Sequence, residues 1–270
     1  MQKPPFEYLS LETNDQIATL TIDRPKALNA LSEGVLRELQ KAFNYIESCA
    51  PGHDGAERID VVIFTGAGEK SFIAGADILE MKDKSPKQGE ELARFGQSIT
   101  HQLELLPQPV IAAVNGFALG GGCEFAMACD FILASENAVF GQPEVALGIM
   151  PGFGGCVRLP RYVGLARAKE LIYTGRKFKA DEAKAIGLAL EVLPLAELLP
   201  RARAIAAEIR KVSPLAVSRS KRAMDQVLGE TSVEALKTEA QVFGSLFGSH
   251  DQREGMTAFA EKRKAEFRGE

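Results

Sequence analysis

Histidine is scarce in this 270-residue chain, occurring only as His53, His101 and His250, and no H-x-x-x-H spacing joins the three. A His/Cys zinc cage is therefore not expected, and no metal site is assigned. The four cysteines, Cys49, Cys123, Cys129 and Cys156, form no C-x-x-C pair. A chain this long can bury a core without disulfides, so a reducing compartment, the cytoplasm, is the expectation. An excess of one charge is also missing: 32 Lys+Arg stand against 36 Asp+Glu, a net charge of −4. Such a balance supplies no broad basic field for nucleic acid or an anionic membrane. The longest uncharged run, Leu105 to Cys123, holds Pro107, Pro109, Asn115 and four glycines, which suits a buried strand and turn better than a bilayer helix. The opening MQKPPFEYLSLETND has no apolar run and the first arginine is Arg24, so no targeting peptide is expected.

What is present is the composition of a globular protein, 46% apolar and 25% charged. Alternation in Phe6 to Glu12 and Ile17 to Ile22, around the turn signal Asn14-Asp15, predicts a β-hairpin. Ser32 is placed to cap a helix carrying Val35, Leu36, Leu39, Ala42, Phe43 and Ile46 at helical spacing. Val61 to Phe64 reads as a buried strand ending at Gly66-Ala67-Gly68. A helix with Leu92, Phe95, Ile99, Leu103 and Leu106 on one face then leads to the strand Val110 to Val114. A short apolar helix after Gly120-Gly121-Gly122 and the strand Phe131 to Ala134 follow. The alternation predicts an α/β fold of repeated strand-strand-helix units. Five helical segments come after: Ala180 to Ile186, Leu195 to Val212, Pro214 to Leu228, Ser232 to Phe247 and Arg253 to Phe267. The expected division is a core over 1–195 and a helical region over 196–270 that packs on the core or on another subunit.

Several motifs fail on inspection. Thr65-Gly66-Ala67-Gly68-Glu69-Lys70-Ser71 is not a phosphate loop, because Glu69 stands between glycine and lysine where phosphate would lie. No G-x-S-x-G supports a nucleophile elbow. Cys123 reads either as a helix-N-terminal thiolate or as a small apolar residue under a glycine turn.

Two segments, Ala74-Gly75-Ala76-Asp77-Ile78 and Gly120-Gly121-Gly122-Cys123-Glu124, each follow a strand and open a helix. Free N–H groups at such ends carry partial positive charge, and small residues let a ligand oxygen approach them. Brought together, they make an oxyanion hole; taken singly, each is also an ordinary tight turn. Glu124 and Glu144 lie among few charges, which favours perturbed protonation and acid–base work, although a structural N-terminal glutamate and a surface loop charge are equally open.

Arg24-Pro25-Lys26-Ala27-Leu28-Asn29-Ala30, Phe72 to Ile78, Asn115 to Glu124, Phe140 to Glu144 and Leu147 to Gly155 closely resemble the crotonase (enoyl-CoA hydratase/isomerase) superfamily, from about Ile17 to Lys264. Within it they look like the short-chain enoyl-CoA hydratases, also called 3-hydroxybutyryl-CoA dehydratases. The resemblance implies the crotonase spiral and acyl-CoA chemistry of the fatty-acid β-oxidation type, with coenzyme A as part of the substrate and no separate cofactor. It implies an oxyanion hole from the N–H groups of Ala76 and Gly121, and catalysis by Glu124 and Glu144 with Gly152 near their water. Lys26, Ala27, Leu28, Ala74, Asp77 and Ile78 are implied to line the CoA path, and Phe259 and Lys262 to reach the CoA of a neighbouring subunit in a homotrimer or a dimer of trimers. Having both glutamates favours a hydratase over a Δ3-Δ2-enoyl-CoA isomerase, which usually lacks the first. A crotonase relative binds RNA, but Lys262-Arg263-Lys264 with Arg253 is a small patch on a net-acidic chain. Met150 and Phe153 are expected to narrow the acyl pocket, in a region also shaped by about Met81 to Thr100.

Overall fold

The computed structural model describes residues 2–52 and 57–270, so the expectation for His53 lies outside the described residues. Strands β1 (Leu9–Asn14) and β2 (Ile17–Ile22) form the hairpin. Its turn is Asp15-Gln16, with φ of 49° and 60°, the left-handed pair that matches strand twist in a two-residue connection. β1 starts later than the alternation suggests because Leu9 and Leu11 are the residues that enter the core, while Phe6 only packs against its edge.

Helix α1 (Glu33–Ser48) starts where Ser32 Oγ accepts the Val35 N–H at 3.3 Å, and it buries Val35, Leu36, Leu39, Ala42, Phe43 and Ile46 along one face. β3 (Val61–Gly66), β4 (Ser71–Ile73), the single turn α2 (Ile78–Met81) and α3 (Pro86–Leu105) follow. α3 begins with a reciprocal cap between Ser85 and Gln88. Next come β5 (Val110–Val114), β6 (Phe117–Leu119), α4 (Gly121–Met127), β7 (Phe131–Ser135) and β8 (Val139–Gly141). After a 3₁₀ turn at Pro143–Leu147, the chain forms α5 (Gly155–Val163), α6 (Leu165–Thr174), β9 (Lys177–Lys179), α7 (Ala180–Ala185) and β10 (Glu191–Leu193). It ends in α8 (Leu195–Ile209), α9 (Pro214–Val227), α10 (Ser232–Ser245) and α11 (His250–Glu261).

Each repeat gives one strand to each of two sheets. The larger runs β1-β2-β3-β5-β7-β10 and the smaller β4-β6-β8-β9. β2, β3, β5, β7 and β10 are mutually parallel, as are β4, β6 and β8. Both faces of the larger sheet are covered, which explains its uninterrupted apolar strands. Val62, Phe64, Val110, Ala112 and Val114 enter the main core, whereas Val61, Ile63, Ile111, Ala113 and Leu133 pack under Leu198, Ala202 and Ala206 of α8. Truncating Leu198 to Ala at that seam costs about 2–5 kcal/mol. Thus the first helix of the 196–270 region covers the core sheet, and α9 to α11 come after it.

α11 starts at His250 rather than Arg253, because Ser249 Oγ accepts the Gln252 N–H at 3.0 Å. It stops at Lys262, whose φ of 55° turns the chain back on itself. The returning tail is fixed by Asp251, whose carboxylate accepts the N–H groups of Arg268 and Gly269. Among the described residues no helix is long and apolar enough to cross a membrane.

Candidate active site

β4 and β6 are parallel neighbours, paired Ser71 with Phe117 and Ile73 with Ala118, so the turns that leave them emerge side by side. The close fit requires glycine at Gly122, where a Cβ would lie 2.0 Å from the carbonyl oxygen of Ile73. Both turns are pinned by backbone bonds. Leu31 N–H donates to the Gly75 carbonyl at 2.8 Å, Asp77 N–H to that of Leu31 at 2.9 Å, and Gly120 N–H to that of Gly141 at 2.9 Å. The N–H groups of Ala76 and Gly121, between these anchors, have no acceptor among the described residues. The two donors are therefore held in place by the backbone around them.

Glu124 lies in the first turn of α4 and is only 1% exposed. Its Oε1 accepts the N–H of Phe153 at 2.8 Å and that of Gly155 at 2.7 Å, at the N-terminus of α5. Burial pushes its carboxyl above the usual range, and these N–H groups oppose the shift without cancelling it. Glu144, on the turn after β8, is half-buried. Burial and the neighbouring Glu124 raise its pKa to about 7 against the opposing influence of its own backbone N–H. A Cβ on Gly120 would lie 2.7 Å from Glu144 Oε1, which sets this carboxylate against the second oxyanion turn.

The 3₁₀ turn Pro25–Ala27 and its cap Leu28 are exposed, and Leu28 is joined to the Ala74–Asp77 turn. Ala74 N–H and Ser71 Oγ both donate to the Leu28 carbonyl, at 3.1 and 2.7 Å. Arg24 lies 3.8 Å from Asp77, and Ile78 is exposed beside them. Of the residues expected to line the CoA path, Leu28 and Ala74 are thus bonded to each other, while Lys26, Ala27, Asp77 and Ile78 lie in the segments on either side of that bond. Gly152 lies next to the loop that holds Glu124, its carbonyl accepting from Gln97 Nε2 at 2.9 Å. Phe259 and Lys262 sit elsewhere, on and just after α11. Phe259 is 87% exposed, and no hydrogen bond among the described residues ties either one to these segments.

The profile of the family described as enoyl-CoA hydratase/isomerase matches residues 12–270. The short-chain-enoyl-CoA hydratase of Clostridium acetobutylicum is 50% identical over 256 residues, 95% of each chain. The crotonyl-CoA hydratase of Syntrophomonas wolfei is 48% identical over 262 residues, 97% of this chain and 98% of its own. A crystal structure of an enoyl-CoA hydratase from Bacillus anthracis superposes with a TM-score of 0.91 at 40% identity, covering 98% of this chain and 100% of that one. This chain belongs to the enoyl-CoA hydratase/isomerase family.

Three features of this enoyl-CoA hydratase/isomerase family chain go beyond its sequence motifs. Gln142 is 1% exposed, and with its amide nitrogen toward Glu144 it donates to Oε1 at 3.0 Å and Oε2 at 3.2 Å. A Cβ on Gly155 would lie 2.9 Å from the Gln142 amide and 3.0 Å from Glu124 Oε1, so this amide also lies near the second carboxylate. The available signal was an uncharged amide two residues before Glu144. Second, a cavity of about 10 Å³ opens beside Ala76, lined by Leu31, Leu36, Met81, Leu92 and Phe153. Met150, expected to narrow the acyl pocket, is 63% exposed. Third, Cys123 is fully buried and burial pushes its thiol up, so the thiolate alternative is discarded.

Proposed function

We propose that this chain is an enoyl-CoA hydratase that adds water reversibly, on one face, across the double bond of a short trans-2-enoyl-CoA to give the 3-hydroxyacyl-CoA. The observation that supports this most is a buried Glu124 and a half-buried Glu144, both with raised protonation, near two unpaired N–H groups. An α,β-unsaturated thioester is electrophilic at Cβ only when charge can build on its carbonyl oxygen. The Ala76 and Gly121 N–H groups accept that charge without reorganising. Glu124, held at one oxygen by two N–H groups, directs its other oxygen at water, takes its proton and delivers hydroxyl to Cβ. Glu144, protonated near neutral pH, gives its proton to Cα. One proton is shared by the pair before and after turnover, so the active form carries a single proton.

Lys26 to Leu28, with Ala74, Asp77 and Ile78, form the CoA entry rim in this reading. We further propose a cytoplasmic homotrimer or dimer of trimers, supported by exposed Met224, Leu228, Val233, Leu236, Phe243 and Phe247 on α9 and α10 and the turns after them. Phe259 and Lys262 would then reach a neighbour's CoA. RNA binding is disfavoured because Arg263, the centre of the basic patch, is bound by Glu254 and Glu261.

Isotope incorporation tests the reaction. In ¹⁸O-labelled D₂O, crotonyl-CoA should acquire ¹⁸O at Cβ and deuterium at Cα. Shift of the double bond in a 3-enoyl-CoA, with no ¹⁸O uptake from crotonyl-CoA, would make the enzyme an isomerase instead.

A further inference from the structure

The N–H groups that hold Glu124 come from a loop with little internal support. Gly152 to Gly155 includes three glycines, and Gly154 has φ +114°, a conformation that side-chain-bearing residues rarely adopt. Its support is a side-chain clamp from α3 and α5. Arg158, 7% exposed, donates through one guanidinium nitrogen to the Phe153 carbonyl at 2.9 Å and to Thr100 Oγ1 at 3.3 Å. Thr100 Oγ1 shares its one proton between the same carbonyl, at 3.0 Å, and that of Gln97, at 3.1 Å. The other two guanidinium nitrogens are locked on Glu104, at 2.8 and 2.7 Å. The loop closes over the guanidinium so tightly that a Cβ on Gly154 would lie 2.0 Å from it. On the far side the Phe153 ring rests on Gly96, where a Cβ would lie 2.2 Å from the ring.

We propose that Arg158 is a positioning residue for catalysis: oriented by Glu104 and joined by Thr100, it fixes the Phe153 carbonyl so that the N–H groups of Phe153 and Gly155 converge on Glu124. Orienting the carbonyl of Phe153 fixes the peptide plane between Phe153 and Gly154, which lies between the two planes that carry the Phe153 and Gly155 N–H groups. A buried ion pair is costly to keep and contributes little net stability, so its geometry is the part the site uses. The clamp also puts a fixed cation behind Glu124. The titratable and charged groups facing Glu124 are Cys123 on its own helix, Glu144 on the turn after β8, and Cys156 and Arg158 on α5. Of these only Arg158 favours the carboxylate.

This proposal rests on the hydratase reading, and its test separates the two. The double variant Glu104→Leu/Arg158→Met removes both charges together and leaves none buried alone. With crotonyl-CoA, kcat is expected to fall roughly 10- to 100-fold while KM stays within threefold, a split expected when a group acts only in the transition state. The acid limb of the kcat/KM profile should move to higher pH. Arg158→Lys, which keeps the charge but not the fork, should recover part of kcat. A folded double variant with kcat within threefold of wild type and an unmoved acid limb would overturn the clamp, while Glu124→Gln, inactive in the same assay, would leave the hydratase reading standing. Activity in Glu124→Gln would overturn both. If the double variant does not fold, Thr100→Val decides, since it removes one donor to the Phe153 carbonyl and keeps the ion pair. A loss of about three- to tenfold in kcat is expected, and an unchanged kcat would overturn the clamp.

Discussion

The carbonyl oxygen of Ile73 fills the space where a side chain on Gly122 would begin, 2.0 Å from an added Cβ. This contact sets the start of α4 on the end of β4 and so sets the distance between the two unpaired N–H groups. Gly122→Ala must push the turns apart. Overpacking of this kind costs about 1–3 kcal/mol. Displacing one oxyanion donor costs roughly 10² to 10³ in rate. The expected result is a folded variant with a modestly lower Tm and at least a 100-fold lower kcat.

Glu144 links the site to stability. Its pKa is about 7 in the folded protein against a reference of 4.5, so between those values the native state holds more protons than the unfolded chain. Its contribution is present in full below pH 4.5 and is lost as pH rises toward 7, where folding must accommodate a partly buried charge. Glu144→Gln should therefore match wild type near pH 4.5 and exceed it at pH 8 by about 1–2 kcal/mol, less than the full 1.4 kcal/mol per unit because water reaches the group. Urea midpoints at the two pH values check this.

The same titration should appear in turnover. If the singly protonated pair is active, kcat/KM for hydration falls above an apparent pKa near 7. Dehydration of 3-hydroxybutyryl-CoA must show the same limb, because hydration releases no net proton and the ratio of the two directions is a pH-independent equilibrium constant. A kcat/KM profile that stays flat through pH 7 in both directions would show that some other group controls the rate.

Acyl length should respond to Leu92. It lines, from α3, the small cavity beside Ala76. Leu92→Ala is expected to raise kcat/KM for octenoyl-CoA relative to crotonyl-CoA at least fivefold. Competition between the two substrates measures the ratio.

The fold was legible where one signal dominates. Ser32 and its helical stripe located α1, and the unbroken apolar run at Val110–Val114 located β5. The short strands β4, β6, β8 and β9 were not assigned individually, since three to a strand is too few residues to show a period, and their sheet exists only through pairing between repeats. Helices α5 and α6 fall where no element was assigned, because glycines and an internal Pro160 break the pattern at Gly155–Gly164. Glu124, Glu144, Ala76 and Gly121 were visible as motifs. Gln142 and Arg158 were not, because an amide becomes a carboxylate partner only once the turn folds, and Arg158 meets Glu104 across 54 residues of sequence.

The most direct test of the two-carboxylate hydratase site is the loss of the conjugated enoyl-thioester absorbance of crotonyl-CoA, followed for the wild type, Glu124→Gln and Glu144→Gln. Rapid loss in the wild type, with formation of 3-hydroxybutyryl-CoA, and a fall of at least 100-fold in each variant is the predicted result. Variants within tenfold of the wild type, or a wild type that binds crotonyl-CoA and leaves the absorbance unchanged, would contradict it.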